Sequence, residues 1–381
     1  MNHAHQSNLI HRSVRTSATW LLPFLLLLLA AVAHVQFTYT TNNRTITITG
    51  YTGPGGAVTI PSTINGLPVT SIGHWAFSWC SSLARVTIPK SVASIGDSVF
   101  YYCWSLSSIT IPDSVTSIGD QAFYNCKSLS DVTIPNSVTN IGEAVFASCI
   151  SLSAITVDAP NPVYSSVDGV LFNKTQTTLM EYPGGKPGGY AIPGSVTSIG
   201  EAAFGGRSNL TSVTIPSSVT KIGQAAFAEC TSLISVTIPH SVTSVGEYAF
   251  AECSSLTSVY FQGNAPSADS SVFYLYNNAT VYYLPGTTGW GTSFGGRPTA
   301  LWLLPNPLIL TSGPSFGVQT NHFGFIISWA TNVPVIVEAS TNLANPTWSP
   351  VATNTLTGGS SYFSDPQWTN YPARFYRLRS P

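Results

Sequence analysis

A period of 23 residues, strand-like alternation inside each period and an aromatic column in the same frame predict a solenoid. Its coils stack parallel strands joined by short helical turns, and a small all-β module follows. The tract Val86-Thr87-Ile88-Pro89 recurs as Ile109 to Pro112, Val132 to Pro135, Val213 to Pro216 and Val236 to Pro239, with a trimmed Ala191-Ile192-Pro193 between them. Phe77, Phe100, Phe123, Phe146, Phe204, Phe227, Phe250 and a degenerate Phe273 form the column, which counts eight turns. In each turn Val86 and Ile88 face one way and Thr87 the other, as in a strand, and Pro89 stops it. A second short extended piece, Val92 to Ile95, ends at Gly96. Phe100 and Cys103 then stand three apart, as one helical turn would place them, and Leu106 closes the unit. One turn cannot bury all these side chains, so neighbours must share a core, in a rod roughly 40 Å long at ~4.8 Å per rung.

The unit S-L-x-x-V-T-I-P-x-S-V-T-S-I-G-x-x-A-F-x-x-C resembles the leucine-rich repeats of BspA-type bacterial surface proteins over about Gly56 to Phe273. The resemblance implies a leucine-rich-repeat solenoid, export, and adhesion at the cell surface where family members have a known role.

Elements outside the array follow from local signals. His11, Arg12 and Arg15 precede a mostly apolar run from Trp20 to Ala33 containing Leu25 to Leu29, and Ala31-Val32-Ala33 supplies a small-x-small cleavage pattern. Residues 1–33 therefore read as a signal peptide, since the run is shorter than the ~20 residues a bilayer span needs. Residues 34–55 are expected to form a β hairpin capping the open core, 56–273 the repeats, 274–302 the second cap and 303–381 the β-module. From Val157 to Ile192 the spacing is 35, so one coil holds a 12-residue insertion at about 160–189, read as a hairpin or enlarged turn and then a glycine-rich loop. The insertion is either a ligand-contacting projection or a benign elaboration of one repeat.

Composition excludes several functions. Charged residues make up 8% of the chain and the net charge is -1, with no basic run to gather phosphates, so nucleic acid is not an expected partner. Among the seven histidines, His74, His240 and His322 lie far apart, and no nucleophile elbow, phosphate loop or H-E-x-x-H occurs. Neither catalysis nor a cofactor is expected.

Two further columns need a reading. Cys80, Cys103, Cys126, Cys149, Cys230 and Cys253 hold one repeat position, with Arg207 the lone substitute. Rungs ~4.8 Å apart exceed the ~3.5 to 4.5 Å between Cβ atoms that a disulfide prefers, so free buried thiols are expected over disulfides or a metal site. Asp97, Asp120, Glu143, Glu201 and Glu247, with His74 and Gln224 in register, form an acidic column. It needs no calcium, because like charges ~5 Å apart in water repel by only about 0.8 kcal/mol.

Alternation leaves Thr87, Thr110, Thr133, Thr156, Thr214 and Thr237 in a row on the outer strand face, beside Arg85, Ser108, Asp131, Ala154, Ser212 and Ser235. This row is the candidate binding face for an extracellular protein or glycan; the competing reading of the threonines is β-propensity alone. An alternative for the whole chain is a structural envelope or surface-layer component that self-associates. No membrane span is expected in the mature chain.

Overall fold

The computed structural model describes residues 36–275, 277–311 and 313–380. The predicted signal peptide lies outside the described residues. No helix among those described is long and apolar enough to cross a membrane.

The repeats wind into a solenoid with three lines of hydrogen bonds, two of them made by strands. The V-T-I-P strands pair in parallel and in the register the sequence dictates: Val86 lies opposite Ile109 and Val132 opposite Ile155. The short S-I strands form the second line, in which Ser71–Ile72, Ser94–Ile95 and Ser117–Ile118 are successive partners. The hairpin of Phe37–Asn42 and Thr45–Tyr51 joins that line through Leu67–Ile72. At the other end the V-T-I-P line runs past Phe273 through Thr280–Tyr283 to Arg297–Leu301. The array is therefore longer than the phenylalanine column indicates.

The third side is not helical. Among the described residues the one helix is a 3-10 turn at Trp368–Asn370, far from the repeats. Each A-F-x-x-C segment is a chain of tight turns in which Phe100–Cys103 closes an i to i+3 bond of 3.1 Å. Ser98 and Tyr102 adopt φ of 53° and 60°, as do their equivalents Gln121 and Asn125 at 55° and 59°. These left-handed residues turn alternate N–H groups along the solenoid axis. The Ser98, Phe100 and Tyr102 N–H groups accordingly donate to the Asp120, Ala122 and Tyr124 carbonyls at 2.8 to 2.9 Å. So short a segment gains more bonds from the next coil than from a helix that it cannot nucleate.

Inside, the phenylalanines stack face to face, with Phe100–Phe123 at 5.3 Å and Phe227–Phe250 at 5.2 Å. The cysteines are free, as their spacing predicts. Each buried thiol donates to the carbonyl of the preceding coil's phenylalanine: Cys103 to Phe77, Cys126 to Phe100, Cys149 to Phe123, Cys230 to Phe204 and Cys253 to Phe227, at 3.0 to 3.2 Å. Burial pushes the Cys253 thiol up to about 12 and the Cys126 and Cys230 thiols well above their ordinary value, so the proton needed for donation stays in place. Cys80, at the first rung, is only half-buried. Gly96, Gly119 and Gly142 recur at 23-residue spacing because the coils touch there. A Cβ on Gly119 would lie 2.6 Å from the Asp97 nitrogen and the Gly96 carbonyl carbon, so adjacent coils touch backbone to backbone there.

The insertion divides the array. It forms a hairpin of Tyr164–Val167 and Val170–Asn173, then a third strand, Thr178–Glu181, that joins the S-I line at Ser198–Ile199. Both strand lines break before it, and the buried core separates into two clusters that meet at Val170 and Leu171. Asn161 ties it back by donating to the Pro135 and Val138 carbonyls, and the Tyr164 hydroxyl accepts the Ile141 N–H at 2.8 Å.

The turn line alone continues across, because the inserted coil gives it only the Tyr182 N–H, which donates to the Ala203 carbonyl at 2.8 Å: the Ser148 N–H donates directly to the Gly205 carbonyl at 3.3 Å. In that coil Tyr182 takes the phenylalanine's place, stacking on Phe204 at 5.1 Å, and no cysteine follows it. The longer Arg207 side chain fills the gap. It is fully buried, pairs with the Glu181 carboxylate and donates to the Tyr182 carbonyl at 2.5 Å and the Phe146 carbonyl at 3.5 Å.

Beyond the array, Phe323–Ser328, Pro334–Ser340 and Phe375–Arg379 are strands, as their apolar alternation predicts, joined by Ser349–Thr355 and Ser360–Asp365 in two small antiparallel sheets. Phe325, Ile327, Val335, Val337, Leu356 and Phe363 form their core.

Candidate functional site

The outer strand face is built by alternation. Val86 and Ile88 are 2% and 6% exposed while Thr87 between them is open to solvent, and the same holds along the array. Thr87, Thr110, Thr133, Thr156, Thr214 and Thr237 are all exposed, as are Arg85, Asp131, Ser212 and Ser235; Ser108 and Ala154 are half-buried. Register brings the threonines together in pairs: Thr87 with Thr110, Thr133 with Thr156 and Thr214 with Thr237. The row is not continuous. The strand containing Thr110 is not paired with that containing Thr133, and the insertion parts Thr156 from Thr214. A shallow depression of about 630 Å³ opens between the first pair of rungs, lined by Arg85, Thr87, Lys90, Ser108, Thr110 and Asp113.

Several residues on this face were not anticipated. Thr59 lies opposite Thr87, and its own Val58-Thr59-Ile60-Pro61 tract was the available signal. At the other end Thr237 is followed by Tyr260 and Tyr282, which stack at 5.1 Å, with Trp302 4.8 Å from Tyr260. Tyr260 stands 23 residues after Thr237, so the frame itself points to it. The hydroxyl row thus ends on an aromatic platform.

Two members of the acidic column serve the backbone. The Asp97 carboxylate accepts the Asp120 N–H at 3.0 Å and Asp120 accepts the Glu143 N–H at 2.9 Å, so these two carboxylates each hold the next coil. Across the skipped rung Glu201 meets Glu143, and burial together with that neighbour raises the Glu201 carboxyl to about 7. No group of three His, Cys, Asp or Glu side chains is placed to hold a metal among the described residues.

Coils of this length, with parallel strands on two sides and stacked turns on the third, define a leucine-rich-repeat solenoid. The chain belongs to the family described as BspA type leucine rich repeat region, whose pattern matches residues 57–176 and 189–292 in six copies. Among solved structures it is similar to a leucine-rich repeat protein from Eubacterium ventriosum, with 27% identity, 65% of this chain and 76% of that one covered, and a TM-score of 0.51. It is also similar to a leucine rich cell surface protein from Faecalibacterium prausnitzii, with 26% identity over 67% of this chain and 94% of that one and a TM-score of 0.44. No curated protein matches the sequence.

Proposed function

We propose that the chain is exported to the cell surface and acts there as a non-enzymatic binding protein, presenting its outer strand face to an extracellular protein or glycan. The observation that carries this reading is the face itself: six exposed threonines with only Arg85 and Asp131 charged beside them. Such a surface holds a partner by hydrogen bonds and van der Waals contact, so affinity changes little between low and high salt. Family membership and the charged-then-apolar N-terminus support the location.

The test is a screen of the purified mature chain, residues 34–381, against arrays of extracellular proteins and glycans. Replacing Thr110, Thr133 and Thr156 together with lysine keeps the melting temperature and abolishes capture. A ligand whose affinity collapses with salt, or one indifferent to the triple substitution, places the binding site elsewhere. Concentration-dependent assembly on size exclusion, with no ligand captured, favours an envelope scaffold instead.

A further inference from the structure

A hollow opens on the turn side of the solenoid, where the inserted coil omits most of its rung. Its floor is made of small residues, Ala147, Ser148, Gly205 and Gly206, at positions that carry tyrosine and tryptophan nearer the N-terminus. Tyr102 and Tyr124 form one wall, with Tyr101 stacked behind Tyr124 at 5.0 Å. Glu229 and Glu252 stand opposite. The walls are close: after burial, the Glu229 charge is the next cause holding the Tyr124 phenol up at about 12. The space comprises two adjoining depressions of about 400 and 230 Å³.

Asn125 lines the larger depression, is 9% exposed, and its side-chain oxygen has no hydrogen-bond partner. That oxygen is closed to solvent, so the groups that a ligand meets are the two carboxylates and the phenols. Glu229 and Glu252 require a ligand rich in donors, while the tyrosines require one with an apolar face.

We propose that this hollow binds a neutral oligosaccharide, its ring C–H face against Tyr102 and Tyr124 and its hydroxyls donating to Glu229 and Glu252. A pyranose combines those two properties in one ring, and a concave site with a few convergent polar groups fixes its orientation. A cationic peptide also offers donors, but a lysine side chain has no flat C–H face to lay on both Tyr102 and Tyr124, and Lys127 in the same depression offsets one of the two carboxylates. The inference rests on the proposed function only for the ligand's being extracellular, because the hollow is on a different side of the coil from the threonines.

The experiment is calorimetric titration of the purified chain with cellohexaose, xylohexaose, mannohexaose and chitohexaose, with hexalysine as the competing class. At least one sugar is expected to bind with a Kd of about 1 mM or tighter. Tyr124→Ala and Glu229→Leu are each expected to weaken binding about tenfold. Ala228→Tyr fills the hollow and removes binding while keeping the melting temperature, since the same repeat position already holds Tyr101, Tyr124 and Tyr274. The triple threonine substitution leaves sugar binding unchanged, so failure of the strand-face reading and failure of this one are distinguishable. No binding by any of the four sugars, binding unaffected by both Tyr124→Ala and Ala228→Tyr, or capture of hexalysine alone overturns the proposal.

Discussion

Removing Arg207 tests how the two halves of the array are joined. Its side chain is fully buried and Glu181 is 3% exposed, so Arg207→Ala leaves a buried carboxyl without its counter-charge and the Tyr182 carbonyl without a donor, while the Phe146 carbonyl keeps the Cys149 N–H. Breaking a buried pair from one side costs about 3 to 5 kcal/mol. A stranded carbonyl adds about 1 to 3 kcal/mol. The loss depends on pH in a definite direction. Burial already raises the Glu181 carboxyl to about 7 against the lowering influence of Arg207, and without the arginine it rises further. The unfolded chain releases this proton near the ordinary carboxylate range, so between the two values the folded state binds more protons and stability falls as pH rises. Arg207→Ala is therefore less destabilised at pH 5 than at pH 8. Because the cores on either side are separate clusters, unfolding should also split into two transitions. Urea denaturation with hydrogen exchange read separately in the two halves measures both effects. The apolar pair Glu181→Leu with Arg207→Met should recover most of the loss. A cost below about 1 kcal/mol, or the same cost at both pH values, refutes the reasoning.

Further expectations concern single columns. In the native protein a thiol reagent should label Cys80 and spare the other five cysteines until denaturation. Cys126→Ala should cost about 1 to 2 kcal/mol and Phe123→Ala about 3 to 5 kcal/mol by thermal unfolding, and equal costs would remove the phenylalanine stack from the core. Gly119→Ala, which meets backbone at 2.6 Å, should destabilise by about 1 to 3 kcal/mol, whereas Gly194→Ala, with nothing within 4 Å, should be nearly neutral. Glu201→Gln should flatten the fall in melting temperature between about pH 5 and 7, since the folded carboxyl holds its proton to about 7. An unchanged slope would separate Glu201 from Glu143.

The strand sides were legible because alternation and register are written residue by residue: Val86, Thr87 and Ile88 announce their faces, and a period of 23 aligns them. The turn side was misread as helical because Phe100 and Cys103, three apart, suit a helical turn and a tight turn equally. What separates the two is the left-handed backbone at Ser98 and Tyr102, and no glycine marks those positions. The thiol ladder was legible from spacing, but the carbonyl each thiol reaches depends on how far one coil is set back from the next. Arg207 was visible as a substitute in the cysteine column. Its buried partner was not, because Glu181 sits in an insertion whose path alternation does not specify. The threonine row was readable and so was its break at the insertion, while the break between Thr110 and Thr133 comes without any change in the 23-residue spacing.

The back-reaching thiols also bear on how such an array changes length. Each coil carries one donor for the coil before it and one phenylalanine carbonyl for the coil after it, so duplicating or deleting a whole 23-residue unit creates and removes these groups in equal number. At the end of the series Asn277 takes the donor's place, its amide reaching the Phe250 carbonyl at 3.0 Å. Gene duplication can therefore lengthen the interior freely, provided both boundaries stay where they are. An insertion that is not a whole unit breaks this parity, and a buried arginine and glutamate mark the place where the inserted coil does so.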